Sequence, residues 1–134
     1  MAALDHPLLE RLRDAMPNDP EMQIVGKFMR CDVLLSSGDK RYLLRFDHGR
    51  LTEIVEDPHP ALAWNFALKA GPGTWERFLQ DPPPPEFHDV WAAAWLGHLT
   101  LEGDIKVFMQ NHFAFWRTLK LLRIQAQATS GAAA

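Results

Sequence analysis

His88 and Asp89, which follow the proline run Pro82 to Pro85 after Glu86 and Phe87, are the pair in this sequence that comes nearest to acid–base machinery. Neighbours in a chain point in different directions, so a dyad there needs a further partner. The plainer reading has them open a helix, with Asp89 favoured by the helix dipole and His88 anchoring the loop. His112 falls on the apolar side of a helical pattern. It serves there either as a satisfied core histidine or as a hydrogen-bond partner for a ligand's polar head. His6, His48, His59 and His98 show no pairing at metal-ligand spacing and no HExxH motif, so no metal site is expected. Ser36 and Ser37 lie in a turn and Ser130 in the tail, without a GxSxG elbow. Cys31 is the single cysteine, which excludes an intramolecular disulfide, and its strand pattern points it at the core as inert packing. Gly71-Pro72-Gly73 is turn chemistry, and neither a Walker loop nor GxGxxG is present. No catalytic residue and no cofactor is assigned.

The aromatic residues carry more information. Trp64, Phe66, Trp75, Phe78, Phe87, Trp91, Trp95, Phe108, Phe113, Phe115 and Trp116 supply far more apolar area than one packing stripe needs. They either fill a core or line a compartment, and composition alone leaves both open.

The elements that position them follow from periodicity. Leu99 to Arg123 reads as a short strand, a hinge at Gly103, and a long helix capped by Asp104. Ile105, Phe108, Met109, His112, Phe115, Trp116, Leu119 and Leu122 recur along it at helical spacing. Upstream, Asp5 to Met16 predicts a helix that Pro17 and Pro20 end. Glu21 to Leu35 predicts a long strand bulged near Gly26. Lys40 to Phe46 and Arg50 to Glu56 predict two more strands joined by turns, and Ala63 to Ala70 a fourth. Thr74 is expected to cap a short helix, and Phe87 to Leu96 to form another. Arg41, Arg45 and Arg50 share an outer face with Glu53 and Glu56, which predicts a mixed, solvated surface.

The chain has 134 residues, 47% hydrophobic and 23% charged, which suits one globular domain with a real core. A formal net charge of -3 offers no general attraction for nucleic acid or anionic lipid surfaces. The N-terminal segment lacks the basic-then-apolar pattern of a secretory signal, and no run is long enough to span a bilayer. The expectation is a cytoplasmic protein without stable membrane insertion.

Read in order, three stretches resemble the sterol carrier protein 2 (SCP2) sterol-binding domain family. They are the strand meander of Met22 to Ala70, the segment TWERFLQDPPPPEFHDVWAA from Thr74 to Ala93, and LTLEGDIKVFMQN from Leu99 to Asn111. The resemblance covers nearly the whole chain and is that of a small bacterial-type member. It implies an α+β fold, with a five-stranded, mainly antiparallel sheet and helices packed on one face. It also implies an apolar tunnel for lipid or acyl ligands and no catalytic residues. The chain departs from eukaryotic members in its short early helices and its C-terminal Gly-Ala-Ala-Ala, which is not a peroxisomal address.

The combined expectation is one domain over 1–125 and a flexible tail over 126–134. It would bind or carry a fatty acid, acyl conjugate or sterol-like ligand between sheet and helices, and homodimer formation is open. The expected ligand-binding residues are Trp64, Phe66, Phe78, Trp91, Trp95, Leu99, Leu101, Phe108, Met109, His112 and Trp116. Of these, Phe108, Met109, His112 and Trp116 would face inward from a gating helix. Two other readings stand beside it. One is a cone-shaped NTF2-like isomerase or cyclase using a His-Asp pair. The other is a pocketless accessory subunit whose aromatic surface binds a partner.

Overall fold

The computed structural model describes residues 3–133 of the chain, and the side chains of residues 3–128. Asp5 opens α1 (His6–Ala15) as its cap, accepting from the Leu8 N–H at 2.9 Å, with Pro7 in the first turn where no N–H is missed. Leu8, Leu9 and Leu12 then fall on one buried face. After a 3-10 turn at Met16–Asn18, Asp19 repeats the device for α2 (Pro20–Val25), accepting from the Met22 N–H at 2.9 Å. This corrects the strand expected from Glu21. Asp19-Pro20-Glu21 supplies a cap, an N1 proline and a first-turn acid together, a helix start that outweighs the weak alternation after it. Met22 is buried whereas Ile24 is 77% exposed, so the segment has one inward residue per turn. At Gly26, where α2 ends, a Cβ would stand 2.7 Å from the Cα of Gly49. Only a residue without a side chain lets these two backbones meet.

β1 (Arg30–Ser37), β2 (Lys40–Asp47) and β3 (Arg50–Glu56) pair antiparallel. β4 (Phe66–Ala70) does not extend that meander. The 57–65 segment returns the chain to the free side of β1, which β4 joins in parallel, and β5 (Thr100–Gly103) closes the edge antiparallel to β4. The result is a five-stranded mixed sheet in the order β3-β2-β1-β4-β5. On its inner face Cys31, Val33 and Leu35 stand opposite Phe46, Leu44 and Tyr42, and Val33 and Leu35 also flank Phe66 and Leu68. Burial pushes the Cys31 thiol up to about 12, which makes it packing and not a nucleophile. On the outer face Arg41 pairs with Asp57 at 3.5 Å and Arg45 with Glu53 at 3.6 Å, so the charge is mixed as expected.

α3 (Pro72–Phe78) begins two residues before the expected Thr74 cap, because Gly71 is the N-cap and Pro72 takes N1. Trp75 is held from the other side, its indole N–H donating to the Ser36 carbonyl at 2.8 Å. α4 (Val90–Trp95) follows the proline loop. The single long helix expected from Asp104 is two, α5 (Ile105–Gln110) and α6 (His112–Ala133). Asn111 divides them: its side-chain amide donates to the Val107 carbonyl at 2.9 Å, and its ψ of 14° leaves the helical range. α6 packs against α1 and α2, and α1 against β3. It runs on past 125, where the sequence suggested a tail. Ala126 is buried and the Gln127 amide donates to the Leu79 carbonyl at 2.6 Å. Residue 134 of that tail lies outside the described residues.

The turn from β5 into α5 depends on Gly103. Its φ is +97°, and a Cβ there would lie 2.6 Å from the Asn65 carbonyl oxygen and 2.8 Å from Cζ3 of Trp64. Gly103→Ala is expected to lower stability by about 2–3 kcal/mol. A urea midpoint that falls at unchanged slope would show it. An unmoved midpoint would mean that the turn relaxes around the added methyl.

Candidate functional site

α4, β5 and the first turn of α5 enclose an open groove of about 360 Å³ at the edge of the sheet. Trp91, Ala94 and Trp95 form one wall, Leu99, Thr100 and Leu101 the floor, and Ile105 the far side. The local sequence explains the shape. α4 is a short Ala- and Trp-rich helix whose last turn leaves Trp95 80% exposed. β5 is an edge strand, so no further strand covers its flank. These lining side chains carry one hydroxyl, on Thr100, and no charge. The volume falls within the roughly 300–1,000 Å³ of small-molecule sites.

Four expected site residues line this groove: Trp91, Trp95, Leu99 and Leu101. Ala94, Thr100 and Ile105 were not picked out. Ile105 carried a usable signal, since it begins the helix directly after the strand that holds Leu99 and Leu101. Three others are placed differently. Phe66, Phe78 and Phe108 are fully buried. Phe66 meets Phe108 at 5.2 Å and Phe115 at 5.9 Å between ring centroids, in edge-on contacts that fill the layer between sheet and helices. Phe78 packs on Trp75 and Phe87. Trp91 stacks on Phe108 at 6.1 Å and so stands between groove and core. Trp64 is half-buried against Gly103.

The expected inward set on the last helix divides. Phe108 points inward, but Met109 is 51% exposed, and Trp116 is partly exposed in another cleft. Met109 shares the exposed side of α5 with Ile105, one turn earlier, and the break at Asn111 separates both from the register of Trp116. His112 is half-buried, with Nε2 lying 3.2 Å from the Asp89 carboxylate. That contact explains why Asp89, although at the N-cap of α4, makes no capping bond. His88 is exposed, and its sequence neighbour Asp89 turns to His112 instead. The nearby His98 ring meets the Glu86 carboxylate. These two histidine–carboxylate links tie the proline loop and α4 to β5 and α6. Neither was visible as a pair in sequence.

The second cleft, about 230 Å³, is lined by Asp81, Pro83, His88, Trp116, Lys120, Arg123 and Ile124. Among the described residues no three His, Cys, Asp or Glu side chains converge as a metal site requires. No helix among them is long and apolar enough to cross a membrane.

No family model matches the sequence. No curated protein matches it either. Solved structures do match. A crystal structure of sterol carrier protein 2 superposes with a TM-score of 0.71 at 15% identity, covering 89% of this chain and 95% of that one. A conserved hypothetical protein of Thermus thermophilus, described as possibly a sterol carrier protein, gives 0.71 at 16% identity, covering 91% and 88%. Palmitated SCP2L2 of Aedes aegypti in solution gives 0.55 at 10% identity, covering 89% and 95%. The chain therefore has an α+β fold of the sterol-carrier class. More particularly, its fold is SCP2-like over most of the chain, which does not favour the NTF2-like cone.

Proposed function

We propose that this protein binds a ligand with a hydrocarbon segment, non-covalently and without a catalytic step, in the groove between α4, β5 and α5. The observation that carries the reading is the open apolar lining of Trp91, Trp95, Leu99, Leu101 and Ile105, left uncovered at the sheet edge. Burying that surface against a chain is worth about 25 cal/mol per Å², without any polar contact. The palmitated state of a protein with this fold supports a fatty acyl chain as the ligand class. Trp91 is the side chain such a ligand would displace to reach Phe108 and the interior.

Native mass spectrometry of the purified protein, followed by organic extraction, tests this directly. The expected result is a co-purifying lipid, or uptake of palmitate that changes the emission of Trp91 and Trp95. An empty protein that also fails to take up palmitate would end the carrier reading. A second reading then gains weight, because Trp95 and Phe113 stand largely free in solvent. These residues would dock a partner or a second copy, and sedimentation at several concentrations would show a dimer.

A further inference from the structure

The second cleft holds two cations, Arg123 and Lys120, that no carboxylate among the described residues meets in an ion pair. Arg123 on α6 is only 8% exposed, yet its guanidinium donates to carbonyls and not to carboxylates. Its Nε donates to the Phe78 carbonyl at 2.7 Å and one Nη to the Phe87 carbonyl at 3.3 Å. Those carbonyls hold the guanidinium plane in place, and the one carboxylate among the described residues that acts on its charge is Asp81, in the lining of the same cleft. Burial pushes its pKa down, with Asp81 acting against the shift from a distance. A guanidinium has five N–H donors, so some remain after the two carbonyls are served. One turn earlier, the Lys120 ammonium lies 5.7 Å from the centroid of Trp116, with no acidic partner among the described residues. The indole face keeps that charge at the cleft wall. His88 adds a ring that can donate, and Asp81 is the acidic group of the lining.

We propose that this cleft is a subsite for an oxyanion group, a carboxylate or phosphate, held by Arg123 and Lys120 with the adjoining apolar part of the ligand against Trp116 and Ile124. A buried guanidinium with its orientation already fixed loses little freedom when it grips an oxyanion, and a charge-assisted bond there is strong. At about 230 Å³ the cleft admits a head group and not a long chain. The groove and the cleft lie on either side of the start of α4. His88 lines the cleft, Trp91 lines the groove, and Asp89 between them is fastened to His112, one turn before Trp116. An amphiphile can therefore place its chain along Trp91 and its acid at Arg123. In that form the inference rests on the ligand reading above.

The test follows the Trp116 indole and Arg123 Nε–H resonances during titration with palmitate, hexadecanol and inorganic phosphate, in wild type and Lys120→Met. Lys120 is exposed, so the variant is expected to fold. Palmitate should shift Trp116 together with Trp91 and Trp95, and Lys120→Met should weaken palmitate about tenfold while leaving hexadecanol unchanged. If palmitate and hexadecanol bind alike and Trp116 does not move, the subsite is refuted and the apolar groove stands. If neither lipid binds, the groove reading has failed, and phosphate then decides the cleft alone. A phosphate shift at Trp116 that Lys120→Met removes supports a free-anion site. No phosphate response overturns the subsite as well.

Discussion

Asp19→Ala is expected to cost about 2–3 kcal/mol, although the residue looks like an ordinary helix cap in sequence. Its carboxylate serves two elements at once. Oδ2 accepts from the Met22 N–H to start α2, while both oxygens receive Arg117 of α6, from Nε at 2.8 Å and Nη2 at 2.6 Å. The two side chains are only 10% and 13% exposed, so this is a partly buried, bidentate pair. Removing the carboxylate strands a guanidinium whose remaining partner is Glu21 at 3.0 Å. The double variant Asp19→Ala/Arg117→Met should recover part of the loss, because the buried charge leaves with its partner.

The same pair sets a pH dependence. The hydrogen bonds from Arg117 hold the Asp19 carboxyl below its usual range, against the opposing effect of burial. A depressed folded pKa means that the unfolded chain takes up the proton first on acidification. The stabilisation is therefore complete above the unfolded value, about 3.9, and fades as pH falls through the lower folded value. Wild type should lose stability below about pH 4. Arg117→Met should show a flatter acid limb in denaturant titrations from about pH 5 down to about pH 2. Equal slopes in both proteins would mean that Asp19 is not the group that carries the effect.

The contrast between Asp19 and the strands shows what was legible. The alternation of Cys31, Val33 and Leu35, and of Tyr42, Leu44 and Phe46, made both strands and their inner faces legible, and the short turn between them fixes which residues stand opposite. The parallel placement of β4 was not readable, because nothing local to Phe66–Ala70 distinguishes the edge of β1 from that of β3. α2 was missed although its cap and proline were in plain view, since six residues give too little periodicity to outvote a strand pattern. Asn111 looked like one more polar residue of a long helix, and only its bond to the Val107 carbonyl shows why the helix ends there. The site divided in the same way. Trp91, Trp95, Leu99 and Leu101 follow from a Trp-rich helix preceding an edge strand. Asp89 with His112 and Arg123 with the Phe78 carbonyl join residues 23 and 45 apart, which no spacing rule connects.

Two opposite changes to the groove should both abolish ligand uptake. Ala94→Trp puts an indole into the open volume between Trp91, Leu99 and Ile105, where it competes with a hydrocarbon chain for the same apolar surface. Because Ala94 is only partly buried and faces the groove, the added ring has room and the fold should hold. Ile105→Asp instead leaves the volume and reverses the chemistry. Ile105 is exposed and stands at the first position of α5, where a carboxylate gains about 0.3–1 kcal/mol from the helix N-terminus. Stability should therefore stay level or rise, while a charge facing the ligand's hydrocarbon must be desolvated or repel it. Each variant is expected to weaken palmitate about a hundredfold, roughly 2.7 kcal/mol, in a tryptophan-emission titration. The pairing matters because the variants act on stability and volume in different directions, so a shared loss of binding points to the groove itself. Wild-type affinity in both would place the ligand elsewhere on the fold, since no chain could lie between Trp95 and Leu101 with an indole or a carboxylate in its path.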